Sequence, residues 1–325
     1  MSVTWHEIGD EEADLRLDRW LRRRFPGLTQ GRIEKLCRTG QIRLDGQRVT
    51  AGTRLAPGQR LRLPPLGEAP SPPPRPADPH AARLFQRLVL YEDDALIVID
   101  KPPGLPTQGG PGLGRHLDAL IAGLGVEDAV RPRLVHRLDQ ETSGLLVLGR
   151  GPRAAAFLAR AFRERAVEKT YWAVVMGRPS QAEGVIDAPL LLAHGPRGAR
   201  ARLAPDPDAP GAARALTRFT VRDAAARRAA WLELTPLTGR THQLRLHCAA
   251  LGTPILGEAK YADPPARLSG FSERLHLHAR ALRLPHPAGG TLFLEAALPP
   301  HMAESFAALG FSAPPPRPPQ RETRR

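Results

Sequence analysis

Arg133-Leu134-Val135-His136-Arg137-Leu138-Asp139-Gln140-Glu141-Thr142-Ser143-Gly144-Leu145-Leu146-Val147-Leu148 places a polar loop, His136 to Gly144, between an apolar lead-in and a run of Leu and Val. The run 145–148 is short and lacks a helical period, so it reads as a buried strand. Gly144 lets the loop turn sharply into that strand. A strand edge then carries one carboxylate, Asp139, beside one guanidinium, Arg137, which suits chemistry on a polyanionic substrate. The same loop also fits a surface turn in which Asp139 bonds nearby backbone.

Upstream, Leu96-Ile97-Val98-Ile99 reads as a second buried strand, followed by a turn at Lys101-Pro102. The glycine-rich stretch Gln108–Gly114 has no GK[ST] and no regular spacing, so no nucleotide site is expected there. Downstream, 152–166 has a helical composition. Residues 168–175, with Lys169 and Tyr171, read as a strand, as do 229–235. The segment 193–214 has little periodicity and is expected as a loop. In Thr238-Gly239-Arg240-Thr241-His242-Gln243-Leu244-Arg245-Leu246-His247, Arg245 alternates with leucines, which fits a solvent-facing strand cation.

At the other end, Leu17, Trp20, Leu21 and Phe25 share one face of a helix, and Ile33, Leu36 and Cys37 one face of a second that Thr29 can cap. Ile42 and Leu44 alternate into Asp45-Gly46, a hairpin signal, and Leu61 and Leu63 mark a last strand. Between Arg16 and Arg62 there are thirteen Lys/Arg against three Asp/Glu. Arg22, Arg32, Lys35 and Arg38 fall on the polar faces of the two helices, as a solvated surface or one that tracks phosphates. Pro64 to Pro79 holds eight prolines in sixteen residues, the composition of an extended linker.

The whole chain of 325 residues carries Lys+Arg 47 against Asp+Glu 33, a formal charge of +14 that favours a polyphosphate partner. Cys37 and Cys248 lie far apart, which argues against a disulfide framework or thiolate metal site. His242, His247, His276 and His278 have no Asp, Glu or Cys at ligand spacing, so no metal is expected. There is no secretory signal and no run of transmembrane length, giving a soluble, cytoplasmic expectation with no membrane partner.

His136-Arg137-Leu138-Asp139-Gln140-Glu141-Thr142-Ser143-Gly144 resembles the HRLDxxTSG signature of the RluA-type pseudouridine synthases. The strand with Lys101-Pro102, Lys169-Thr170-Tyr171 and the 238–247 stretch are similar to that family's other motifs, in order. Residues 15–63 resemble the S4 RNA-binding module. The resemblance implies an α+β chain whose catalytic domain has a central, mostly antiparallel mixed sheet. The expected order is a lead (1–14), an S4-like α/β domain (15–63), a linker (64–83), a catalytic domain (84–303) and a C-terminal segment (304–325) ending in a disordered Pro/Arg tail.

Uridine-to-pseudouridine isomerisation, the activity implied, breaks an N–C glycosidic bond and re-forms it as C–C, with no cofactor, in a base flipped out of structured RNA. By the family pattern Asp139 is the catalytic carboxylate, Tyr171 stacks on the uracil, and Arg245 keeps the carboxylate ionised. Arg137 fills the space the base leaves, and His136, Lys169, Arg240, His242 and Gln243 contact substrate. The S4 module, the linker and the Gln108–Gly112 stretch look most like synthases of the large ribosomal subunit, subgroup C, with the other S4-bearing large-subunit synthases open beside it, making 23S ribosomal RNA the expected partner of a monomer. Two other readings stand beside this one: a non-catalytic RNA-binding factor, and a hydrolase using His136, Asp139 and Ser143, for which no G-x-S-x-G elbow is present.

Overall fold

A computed structural model describes residues 3–25, 27–66, 77–109, 116–127, 129–195 and 198–322. The chain divides into two compact units, Met1–Pro76 and Ala77–Arg325.

In the first unit, β1 (Thr4–Glu7) precedes helices α1 (Leu17–Arg24) and α2 (Gln30–Arg38), followed by β2 (Arg43–Leu44), β3 (Gln47–Arg48) and β4 (Arg60–Leu63), in the sheet order β1-β4-β2-β3. Leu17, Trp20, Leu21, Ile33, Leu36 and Cys37 bury the facing sides of both helices against Ile42, Leu44, Leu61 and Leu63. Thr29 caps α2 by accepting the Arg32 N–H. Asp45 and Gly46 both take positive φ, the geometry a two-residue hairpin needs. The segment 1–14, expected as a mere lead, contributes β1, whose backbone pairs along β4, and Glu12, which accepts the Trp20 indole N–H at 2.8 Å.

The second unit begins inside the expected linker. Asp78 caps α3 (Pro79–Gln86) by accepting the His80 N–H, so proline here starts a helix, where its missing N–H costs nothing. Residues 67–76, the middle of that linker, lie outside the described residues, as do 110–115 of the glycine-rich stretch and 323–325 at the C-terminus. The chain continues through β5 (Val89–Glu92), β6 (Leu96–Lys101), α4 (Leu117–Ala122), β7 (Pro132–Leu134), β8 (Ser143–Arg150), α5 (Gly151–Arg163), β9 (Glu168–Met176) and β10 (Glu183–Asp187). Then come β11 (Leu190–Gly195), β12 (Gly198–Leu203), β13 (Leu216–Ala225), β14 (Ala229–Pro236), α6 (Gln243–Ala250), β15 (Leu277–Pro285), β16 (Thr291–Glu295), α7 (Pro300–Leu309) and β17 (Gln320–Glu322).

The main sheet runs β10-β13-β14-β9-β15-β8-β6-β5, with β7 on β8 and β16 and β17 continuing from β15. Among the described residues, β15 against β8 is its one parallel pairing. Helices cover both faces. Leu145 and Val147 pack with Leu158 of α5, whereas Leu146 and Leu148 pack with Leu117 and Ile121 of α4 and with Leu138. A strand buried on both sides has no polar face to alternate with, hence the unbroken apolar run 145–148. Gly144, at φ 104°, lies so close to β15 that a Cβ there would stand 2.4 Å from the Ala279 carbonyl oxygen. The parallel junction therefore requires glycine.

Two expectations fail here. The segment 193–214 is not all loop: β11 and β12 form a hairpin spanning Leu190 to Leu203. The C-terminal tail is ordered as far as β17, which pairs with β16 through backbone groups while Arg317 and Arg283 bond Glu295 and Glu322, each at 2.9 Å. Among the described residues, no helix is long and apolar enough to cross a membrane.

Candidate active site

Asp139 sits at the crest of a loop that is fastened at three points. The His136 ring stacks on Phe162 and accepts the Val147 N–H at Nε2, 2.8 Å. Thr107 Oγ1 donates to the Leu138 carbonyl at 2.8 Å. The Gln140 carbonyl accepts from the Gly104 N–H and from the Lys101 ammonium, both at 2.9 Å. Lys101 is fully buried, and its other two donors go to the Pro102 and Leu105 carbonyls at 3.0 Å. Burial pulls its pKa down to about 8, against the pull of the Glu141 and Asp139 charges. Three carbonyls on one ammonium make a rigid base for the loop. The Asp139 carboxylate is left outside this framework, its side chain 18% exposed.

Tyr171, on β9, lies under the loop, where the core around α4 and Leu138 meets the core around α6. Burial, reinforced by the Asp139 charge, raises its phenol well above the ordinary value, so the hydroxyl stays protonated. Lys169 is on the same strand, its pKa lowered by burial and then by Arg165.

Helix α6 supplies the other wall. Its first six residues are all buried, so it has no polar stripe, and Arg245 is a buried helical residue rather than a solvent-facing strand cation. Its guanidinium forks onto Glu258, Nε to Oε2 at 2.6 Å and Nη2 to Oε1 at 2.7 Å. Glu258 is fully buried and also accepts the Lys260 and Tyr261 N–H groups. Burial alone would raise its pKa; the bond to Arg245, that cation's charge and the two N–H groups outweigh it and hold the carboxyl below the usual range. Arg245 also stacks 5.2 Å from the Tyr261 ring centre. His242 precedes the helix in the left-handed region, φ 55°, uncommon for a residue with a side chain, and turns Nε2 to within 3.7 Å of Asp139 Oδ1.

The structure thus brings Asp139, Tyr171, His242 and Arg245 to one cleft. An open cavity of about 420 Å³ beside it is lined by Glu141, Arg200, Arg245, Lys260 and Arg274 among others. Arg137 is exposed next to Asp139, and Arg240 is exposed with its Nε on the Arg214 carbonyl. Two expected substrate contacts are instead built into the fold. The nitrogen of His136 that reaches a partner serves Val147. The Gln243 amide is saturated by Thr238, Arg240, Leu216 and Thr217. Ser143 is buried and bonded to His278 Nδ1 at 2.9 Å, away from His136, so no hydrolase relay forms. Of the other histidines, His247 bonds Thr217 and His276 bonds Ser305; among the described residues no three His, Cys, Asp or Glu gather as a metal site. Glu258, Lys260 and Tyr261 were not legible as site residues, since nothing in Gly257-Glu258-Ala259-Lys260-Tyr261 marks them except proximity to the 238–247 stretch. In the first unit, Arg22, Arg32, Lys35 and Arg38 are exposed.

Comparison with known proteins gives consistent relatives. Residues 95–250 match the model of the RNA pseudouridylate synthase family, and 15–61 that of the S4 domain. The chain is 35% identical to ribosomal large subunit pseudouridine synthase C of Rickettsia conorii, over 87% of this chain and 94% of the relative. It is 31% identical to the protein of the same name in Vibrio cholerae, over 94% and 97%. The solved structure of human RNA pseudouridylate synthase domain containing 4 superposes with a TM-score of 0.60 at 31% identity, covering 72% of this chain and 97% of that one.

Proposed function

This chain belongs to the RNA pseudouridylate synthase family and carries an S4 domain, and from that premise we propose that it isomerises specific uridines of large-subunit (23S) ribosomal RNA, with Asp139 as the catalytic carboxylate. The observation that carries the reading is the placement of Asp139: a carboxylate outside the hydrogen-bond framework of its own loop, above a partly buried tyrosine and across from His242 and Arg245.

The reaction needs the N1–C1′ bond broken, the uracil turned, and a C5–C1′ bond made with loss of the C5 proton. Asp139 acts at the ribose as N1 leaves. Arg245 faces the Asp139 charge, which, after the bond and charge of Glu258, helps keep the guanidinium charged despite its burial. The flipped base rests against Tyr171, whose phenol oxygen takes the C5 proton as the phenol's own proton passes to the Asp139 carboxylate, set free once the C5–C1′ bond has formed. Arg137, exposed two residues before Asp139, occupies the space left in the RNA stack. Lys169 and Arg240 carry cations toward the backbone. In the first unit, Arg22, Arg32, Lys35 and Arg38 form a phosphate-tracking face that adds affinity without reading sequence.

The test is pseudouridine mapping of ribosomal RNA from a strain lacking the protein, complemented with wild type or Asp139→Asn. Specific 23S sites should vanish on deletion and return only with wild type. If no site changes, the ribosomal assignment fails; if Asp139→Asn restores them, the carboxylate's role fails.

A further inference from the structure

His242 has one ring nitrogen on each side of the site, and the two have opposite surroundings. Nε2 faces the Asp139 carboxylate. Nδ1 meets two groups from the segment after Glu258: the Tyr261 hydroxyl, which bonds it, and the Lys260 ammonium, 3.4 Å away. An ammonium has donors and no acceptor, so it can only give a proton to a lone pair on Nδ1. The phenol of Tyr261, pushed up to about 12 first by burial, remains protonated across the neutral range and can donate to Nδ1, and the ammonium beside it settles which way that bond runs. With donors converging on Nδ1, the single proton of the neutral ring belongs on Nε2, pointing at Asp139.

A second proton would have to go on Nδ1, against the Lys260 ammonium. The groups facing the ring are Asp139 from the loop, Arg245 from its own helix, and Glu258, Lys260 and Tyr261 from the segment alongside. Burial, with the Arg245 and Lys260 charges, lowers the His242 pKa, and the Asp139 and Glu258 charges do not reverse this.

We propose that Tyr261 and Lys260 are positioning residues that lock His242 as the neutral Nε2–H tautomer, so that it presents one uncharged donor to Asp139. An uncharged donor orients the carboxylate without neutralising the charge it needs at the ribose. The separation of 3.7 Å exceeds a hydrogen bond, and a small rotation of either side chain would close it. The functional half of this proposal rests on the pseudouridine synthase reading with Asp139 as the carboxylate; the tautomer itself does not.

The experiment is side-chain ¹⁵N–¹H spectroscopy of full-length protein labelled at histidine, with the His242 signals identified by their loss in His242→Gln. In wild type the ring should hold a proton on Nε2 alone across the neutral range. Tyr261→Phe and Lys260→Met should each admit the second tautomer or bring the ring's titration into that range, and Lys260→Arg should restore the wild-type signal. With RNA, Tyr261→Phe should lower kcat about 10-fold or more while KM stays within about two-fold. A wild-type ring that is Nδ1-protonated or charged at neutral pH overturns the lock, as does a tautomer unmoved by both variants. An altered tautomer with an unaltered kcat overturns the positioning role. Failure of wild type to form pseudouridine, with the tautomer as expected, instead defeats the functional reading and leaves the lock standing.

Discussion

The guanidinium of Arg245 is held in a two-pronged bond by the buried carboxylate of Glu258, at 2.6 and 2.7 Å, and not by Asp139, the carboxylate it faces across the cleft. The cation that faces one carboxylate is kept in place by another. Its charge interacts with Asp139 through space, and the proposed role of Asp139 at the ribose is served by the lack of a tight ion pair there.

Removing Glu258 should therefore cost stability as well as activity. Glu258→Gln leaves a buried guanidinium without its counter-charge, a loss of about 3–5 kcal/mol. The sign with pH follows from the depressed carboxyl: the folded state binds the proton less tightly than the unfolded one, whose group titrates near 4.5. The pair's contribution is complete above that value and drains away as pH falls through the folded pKa. Denaturant unfolding of both proteins should show a gap that is constant near neutrality and narrows in acid.

Lys101→Met keeps the bulk of the side chain but withdraws the donor from three carbonyls, one of them on the residue after Asp139. A cost of about 1–3 kcal/mol in stability is expected from the unsatisfied buried acceptors. The loop should also loosen, so kcat should fall in single-turnover assays while RNA affinity measured by anisotropy is retained.

For Tyr171 the expectation separates ring from hydroxyl. Tyr171→Phe preserves the stacking surface on β9 and should bind RNA within about two-fold of wild type, while kcat falls about 10- to 100-fold with the loss of a proton-transfer group. Tyr171→Ala should weaken both. Equal kcat for Phe and wild type would restrict the residue to stacking.

The first unit offers a prediction in salt. Replacing Arg22, Arg32, Lys35 and Arg38 together with alanine should weaken RNA binding and flatten the slope of log affinity against log salt by about 3, if each contacts one phosphate. Because all four side chains are exposed, the melting temperature should move little.

Much of this was written in the sequence, and the omissions share a cause. Strand β8 was visible because burial on both faces forces an apolar run, and α1 and α2 because each buries only one face. Helix α6 was not: with residues 243–248 all buried, its period disappears, and Leu244-Arg245-Leu246 imitates a strand. Strand β17 is held largely by backbone pairing and an exposed ion pair, which leave no hydropathy signal, and it is exposed along its length; the hairpin β11–β12 adds Leu190 and Ala201 to a small core, too few to set a period. At the site, Asp139, Tyr171 and Arg245 could be named from short motifs. Glu258 and Tyr261 could not, since their significance lies in facing Arg245 and His242, a relationship of space. His136 and Gln243 sit inside the same motifs, yet their ring and amide hold the backbone.

The most direct measurement is hydrogen release from C5 of uridine. Forming the C5–C1′ bond expels that hydrogen, so a 23S transcript tritiated at C5 should lose label to water when wild-type protein turns over. Asp139→Asn should fold as wild type does, because the loop uses the backbone carbonyl of Asp139 and not its carboxylate. Label release should drop by about 10³-fold or more in the variant, with RNA still bound. A folded Asp139→Asn protein that releases tritium at the wild-type rate would contradict the assignment of Asp139 as the catalytic carboxylate.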